Sequence, residues 1–169
     1  MISDVNDRAV VDRCLRSFII KSIHAIVQGR NGLLCTTTCL SDVGSRNNMM
    51  LNIEEDPDVS ASIKQSLESG FQMKVGDVIT LEIIQIKCFS VVEIWQFRLD
   101  TEQNLQNNTP FLESENNQVE ITLNTNTDDT KQSRLIERLG TLLKSIWIIL
   151  RLLPAVPRRP FDYSLAKRR

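Results

Sequence analysis

Three groups of residues in this chain are of types that do chemistry: the single histidine His24, the pair Cys35 and Cys39 around three threonines, and the carboxylates Glu54, Glu55, Asp56 and Asp58. A histidine serves hydrolysis when it faces a nucleophile and a site for the developing oxyanion. His24 stands in no such partner motif. Two cysteines hold zinc when two further ligands complete a tetrahedron, and with one histidine in the chain those ligands are missing. Cys14, Cys35, Cys39 and Cys88 follow no framework spacing and read as reduced thiols of a cytosolic protein. The acidic group lacks the ligand order that would fix a calcium or magnesium ion, so it reads as a solvated loop and helix start. Neither GxGxxG nor GxxxxGK[ST] follows any strand-like stretch, which removes the usual phosphate cradles. The chain is predicted to be no enzyme and to need no cofactor.

Charge points instead to partners. The chain has 169 residues, 41% hydrophobic and 24% charged, the composition of one globular domain with a real core. From Lys131 onward ten Lys/Arg face only Glu137 and Asp162, a net of +8, which leaves −9 for the rest of a chain whose formal charge is −1. A basic end of this kind suits an acidic protein surface, a phosphorylated segment or anionic lipid. Nucleic acid is not expected, because no aromatic interleaving or recognition motif accompanies the charge. The opening MISDVNDRAVV lacks the basic and apolar regions of a signal peptide.

The elements that position these residues follow from periodicity. Asp4 to Gln28 reads as a long helix, capped by Asp4, lined by Val11, Leu15, Phe18, Ser22 and Ile26, and ended by Gly29 in a left-handed conformation. His24 falls at the margin of its apolar face and reads as half-buried. Leu33 to Thr38 and Met49 to Ile53 read as short strands. Asp56-Pro57 opens a brief helix that buries Ile63 and Leu67 and ends at Gly70. Val78 to Lys87 and Cys88 to Leu99 read as paired antiparallel strands, with Trp95, Phe97 and Leu99 on one face. Residues 100–118, rich in Asn, Gln and Glu, read as a flexible polar insertion, and Val119 to Leu123 as a third strand.

The most apolar element is Leu135 to Pro154. Its stripe of Leu135, Leu139, Leu142, Ile146, Ile149 and Leu153 is widened by Ile136, Leu143, Trp147 and Leu150, which predicts a central core helix that Pro154 stops. Lys144 and Arg151 interrupt it, and crossing a bilayer takes about 20 largely apolar residues, so no membrane span is expected. The domain is taken as 1–154, followed by a basic, proline-containing tail over 155–169.

Four stretches in order carry a family resemblance: FIIKSIHAIVQGR at Phe18 to Arg30, LNIEEDP at Leu51 to Pro57, VEIW at Val92 to Trp95, and LLKS-x7-LP at Leu142 to Pro154. Together they resemble the N-terminal HORMA domain of the autophagy-related protein 13 family over about Val11 to Pro154. The resemblance implies an α+β HORMA fold, an antiparallel sheet packed against three helices. It implies a non-catalytic scaffold of the autophagy-initiating ULK kinase complex, in the cytosol and at the phagophore assembly site. The expected partner is autophagy-related protein 101, a second HORMA protein, and the complex helps recruit the lipid kinase complex and the autophagy scramblase. Fungal members carry an arginine proposed to sense phosphate where this chain has Ile94, so an animal-type domain without that anion site is implied. Family members continue into C-terminal strands that close the sheet and into a kinase-binding tail. Both are expected to be missing here, leaving an exposed sheet edge. Another HORMA-type adaptor, of a chromatin or checkpoint complex, is the alternative, and VEIW with LLKS favours the first.

Two contact surfaces are expected. On a wheel of about 100° per residue, Ile148 lies on the polar face of the long helix and Leu152 on its border. With Lys144 and Arg151 they form a predicted partner-facing patch, which fits the way HORMA dimers pair through this helix. In the tail, Arg158, Arg159, Lys167, Arg168 and Arg169 are the candidates for contact with anionic lipid, each near-surface charge adding about 1 kcal/mol.

Overall fold

The computed structural model describes residues 2–31, 38–39, 51–67, 70–87, 89–101, 117–123, 129–152 and 161–168. Among the described residues it is an α+β fold with three helices and a three-stranded antiparallel sheet that one parallel strand extends. Two compact units divide it: Met1–Ala61 with Asn126–Arg158, and Ser62–Thr125 with Arg159–Arg169.

The first unit is built on α1 (Ile2–Arg30) and the last helix, α3 (Asp129–Leu152), which pack together. In α1 the half nearer its C-terminus is buried all round, every residue from Ser22 to Gln28 included. Burying a helix on all sides requires its polar side chains to be answered from within the protein. Gln28 Nε2 donates to the Glu54 carbonyl at 2.6 Å, and both ring nitrogens of His24 have partners, as detailed below. Among the described residues α1 is therefore buried on more of its surface than the later helix, whose composition predicts the central place. In α3 the buried stripe is Leu139, Leu143, Ile146 and Leu150, and Ile149 is exposed rather than inside. Gly29 does not end α1. The helix runs through it to Arg30, and Asn31 N–H still donates to the Val27 carbonyl at 2.9 Å. A side chain at Gly29 would meet Leu150 at 3.6 Å, ordinary contact distance.

The short strands β1 (Thr38–Cys39) and β2 (Leu51–Asn52) pair antiparallel; β2 lies within the stretch expected to be extended, and β1 overlaps the other only at Thr38. Cys35 lies outside the described residues, as does Cys88, and Cys14 is buried and reduced. Helix α2 (Pro57–Leu67) starts in this unit with Asp56 as its cap. The Asp56 carboxylate accepts from Asp58 N–H at 2.8 Å and from Val59 N–H at 3.2 Å, two of the amides a helix start leaves unpaired.

The second unit is the sheet, in the order β5-β4-β3-β6. β3 (Val78–Gln85) and β4 (Ser90–Thr101) form the expected antiparallel hairpin, Ile79 opposite Phe97 and Leu81 opposite Trp95. Ile79, Leu81, Ile83, Trp95, Phe97 and Leu99 share one face and are all buried. Trp95 Nε1 donates to the Glu93 carboxylate at 2.6 Å, which settles the one polar atom on the indole. The turn into β3 uses Gly76 at φ 89°, a conformation glycine adopts without steric cost, and Gly76 N–H donates to Leu99 O at 3.0 Å. Gly70, the residue expected to end α2, has φ 92°.

Two features depart from the sequence reading. β5 (Asn117–Leu123) lies parallel to β4, with Phe97 opposite Val119, so the sheet is mixed. Of the predicted insertion, Asp100 and Thr101 close β4 and Asn117 and Gln118 open β5, while 102–116 lie outside the described residues. The larger correction concerns the C-terminal stretch. Residues 161–168 are not a tail but an eight-residue strand, β6 (Phe161–Arg168), antiparallel to β3 along its full length from Val78↔Arg168 to Gln85↔Phe161. The edge of β3 away from β4 is thus covered from within the chain.

Candidate interaction surface

The predicted patch sits where α3 nears its C-terminal end. Ile148 is 54% exposed, Ile149 40% and Leu152 79%, three branched apolar side chains within five residues. Helical spacing sets Ile148 and Leu152 one turn apart on one face, with Ile149 beside them. Arg151 is exposed and stacks over the Trp147 ring, 4.9 Å from the guanidinium carbon to the centroid. That stacking fixes the cation at the margin of the apolar group. Lys144 is half-buried one turn before Ile148. Toward the N-terminus the same face carries Thr141 and Ser145, both exposed. Their hydroxyls donate back to the carbonyls of Glu137 and Thr141, each at 3.0 Å. Hydroxyls satisfied on their own helix offer no donor to a partner, so what this face exposes is apolar surface with a basic rim.

The five basic residues assigned to lipid separate. Arg158, Arg159 and Arg169 lie outside the described residues. Lys167 is half-buried, its ammonium 2.8 Å from the Asp77 carboxylate and donating to the Gln72 carbonyl at 2.6 Å. It ties β6 to the turn before β3 instead of standing free for a headgroup. Asp77 is held in turn, accepting from Lys74 N–H at 3.0 Å. Arg168 is exposed at the end of β6. Charge alone suggests a solvated tail here, whereas the half-buried Tyr163, Leu165 and Lys167 alternate with the exposed Asp162, Ser164 and Ala166 as a strand requires.

His24 is fully buried, not half-buried. Asp56 N–H donates to Nδ1 at 3.2 Å, and Nε2 lies 3.3 Å from Ser60 Oγ. With Nδ1 accepting, the ring proton sits on Nε2 and points at the Ser60 oxygen. Burial lowers its pKa, opposed by the charges of Glu55 and Asp56. Burial also lowers the pKa of Lys21, which Glu55 opposes. The arrangement anchors the start of α2 to α1 through a neutral imidazole, with no nucleophile activated. The acidic group resolves similarly, since Asp56 is occupied as a helix cap.

One surface was missed. At the tip of the β3–β4 hairpin Phe89 is 85% exposed at φ 50°, and Ile86, Val91 and Val92 are exposed beside it. The pairing register shifts between Ile83 and Ile84, so that Val92 is the extra residue of a bulge. Its signal in the sequence is the apolar FSVV run across a turn.

Among the described residues no helix is long and apolar enough to cross a membrane. No protein-family model matches the chain, and no curated protein is significantly similar to it.

Proposed function

We propose that this chain is a HORMA-type scaffold subunit of the autophagy-initiating ULK kinase complex, without catalytic activity of its own. In this reading it works in the cytosol and at the phagophore assembly site. The end of α3 is its docking face for a second HORMA protein, autophagy-related protein 101. One observation carries the reading: Ile148, Ile149 and Leu152 stand exposed together at the end of α3, the helix that in this reading corresponds to the one through which HORMA domains often pair. Isolated exposed apolar residues are ordinary, but three on one helix end, rimmed by Arg151 and Lys144, make a surface that gains by being covered. The α+β architecture and the four sequence stretches support the same family.

The test is co-expression with autophagy-related protein 101 of the same organism, followed by size-exclusion chromatography and calorimetry. A one-to-one complex is expected. Ile148→Asp should weaken it about 10- to 100-fold, because covering one isoleucine contributes roughly 1.5–3 kcal/mol. Two separate peaks, or unchanged affinity of a folded Ile148→Asp chain, would sink this reading.

A further inference from the structure

β6 ends the strand order, so among the described residues its outer edge has no strand beside it. Natural edges are usually blunted by proline, a bulge, an inward charge or short length. β6 has eight residues, contains neither proline nor glycine, and its register with β3 runs without a shift. Its inward lysine, Lys167, is already neutralised by Asp77. Tyr163 N–H donates to the carboxylate of its neighbour Asp162 at 2.8 Å. An amide bonded to that exposed carboxylate points away from β3, so Tyr163, Leu165 and Lys167 are the residues whose backbone groups face the open side.

We propose that this edge pairs with the same edge of a second copy, antiparallel about a two-fold axis at Leu165. Such an axis keeps each side chain on its own face, so only residues of like parity can oppose each other. With Leu165 opposite Leu165, Tyr163 opposes Lys167, Ser164 opposes Ala166, and Asp162 opposes Arg168 at both ends. Asp162 and Arg168 are both exposed and free of the core face. Moving the axis to Ser164 sets Asp162 against Ala166 and loses both charge pairs, so charge selects the first register. On pairing, Tyr163 N–H passes from the Asp162 carboxylate to the Lys167 carbonyl of the second copy. The released carboxylate then meets Arg168 of that copy. Asp162 thus covers the edge in the monomer and holds it in the dimer. The strand is its own complement, which is why the occupant is a second copy and not another extended peptide.

Sedimentation velocity of the full chain over a concentration series tests this. A reversible dimer is expected. Arg168→Asp, which sets like charges opposite each other twice, should raise its dissociation constant on the order of tenfold. Asp162→Arg combined with Arg168→Asp exchanges the charges and should restore it. A native chain that stays monomeric to its solubility limit overturns the proposal, and so does a double variant as weak as the single one. A dimer indifferent to Arg168→Asp but lost in Ile148→Asp belongs to the α3 surface and overturns it as well.

Discussion

Acid should loosen the joint between α1 and α2, and His24 sets both the direction and the window. In the unfolded chain the imidazole takes up a proton near its ordinary pKa of 6.5. In the fold, burial holds protonation off to lower pH, and Nδ1 is occupied by Asp56 N–H. Between those two values the unfolded chain binds more protons than the native one. Stability therefore rises with pH in that window, is complete above about 6.5 and is lost as pH falls below it. The slope approaches about 1.4 kcal/mol per pH unit. Glu55 and Asp56 face the ring and moderate the shift, and Lys21 is the neighbouring cation. The perturbation is His24→Asn, whose amide oxygen keeps an acceptor for Asp56 N–H but does not titrate. It should cost about 1–3 kcal/mol at neutral pH through the lost ring volume and should abolish this part of the slope. Urea unfolding of both chains between about pH 5.5 and 7.5 reads the difference, and imidazole NMR shifts read the titration directly. Parallel slopes for the two chains, or a native imidazole titrating at or above 6.5, would refute the reasoning.

Two further outcomes follow from named contacts. Asp56→Ala leaves the amides of Asp58 and Val59 without their acceptor and should cost about 1 kcal/mol, seen as faster amide exchange in the first turn of α2. Lys167→Met keeps the stem but removes the ammonium from Asp77 and Gln72. It should cost about 1–3 kcal/mol, with loss of exchange protection concentrated in β6. Protection unchanged along β6 would mean the strand is held by its ladder to β3 alone.

What the sequence made legible was whatever repeats at a short period. The β3–β4 hairpin, its Trp95–Phe97–Leu99 face, the Asp56 cap and the exposure of Ile148 and Leu152 could all be placed from local pattern. The core position of α1 could not. His24 and Gln28 count as polar in any periodicity, and only partners at residues 54 to 60 satisfy them once buried. β6 was missed for a related reason. Lys167 reads as a solvated charge until Asp77 is placed beside it, and nothing local announces that pairing. The parallel setting of β5 is equally invisible, because direction is decided by the crossover and not by the strand. Gly29 shows the limit of rules for helix ends, since a glycine permits a left-handed turn without imposing one.

The ladder between β3 and β6 also orders events as the chain is made. The sheet unit is assembled from two pieces of sequence, and all of α3, which belongs to the other unit, is synthesised between them. Lys167 and Gln72, hydrogen-bonded in the finished fold, are 95 residues apart. At roughly 5–20 residues per second of synthesis, β3 waits for seconds with Ile79, Leu81 and Ile83 already paired to β4 on one side and nothing on the other. Contacts of such long range are also slow to form. A nascent chain halted after α3 could complete its helical unit yet would present an apolar strand to any neighbour that could pair with it. The eight residues of β6 thus cover this edge of β3 only after that interval.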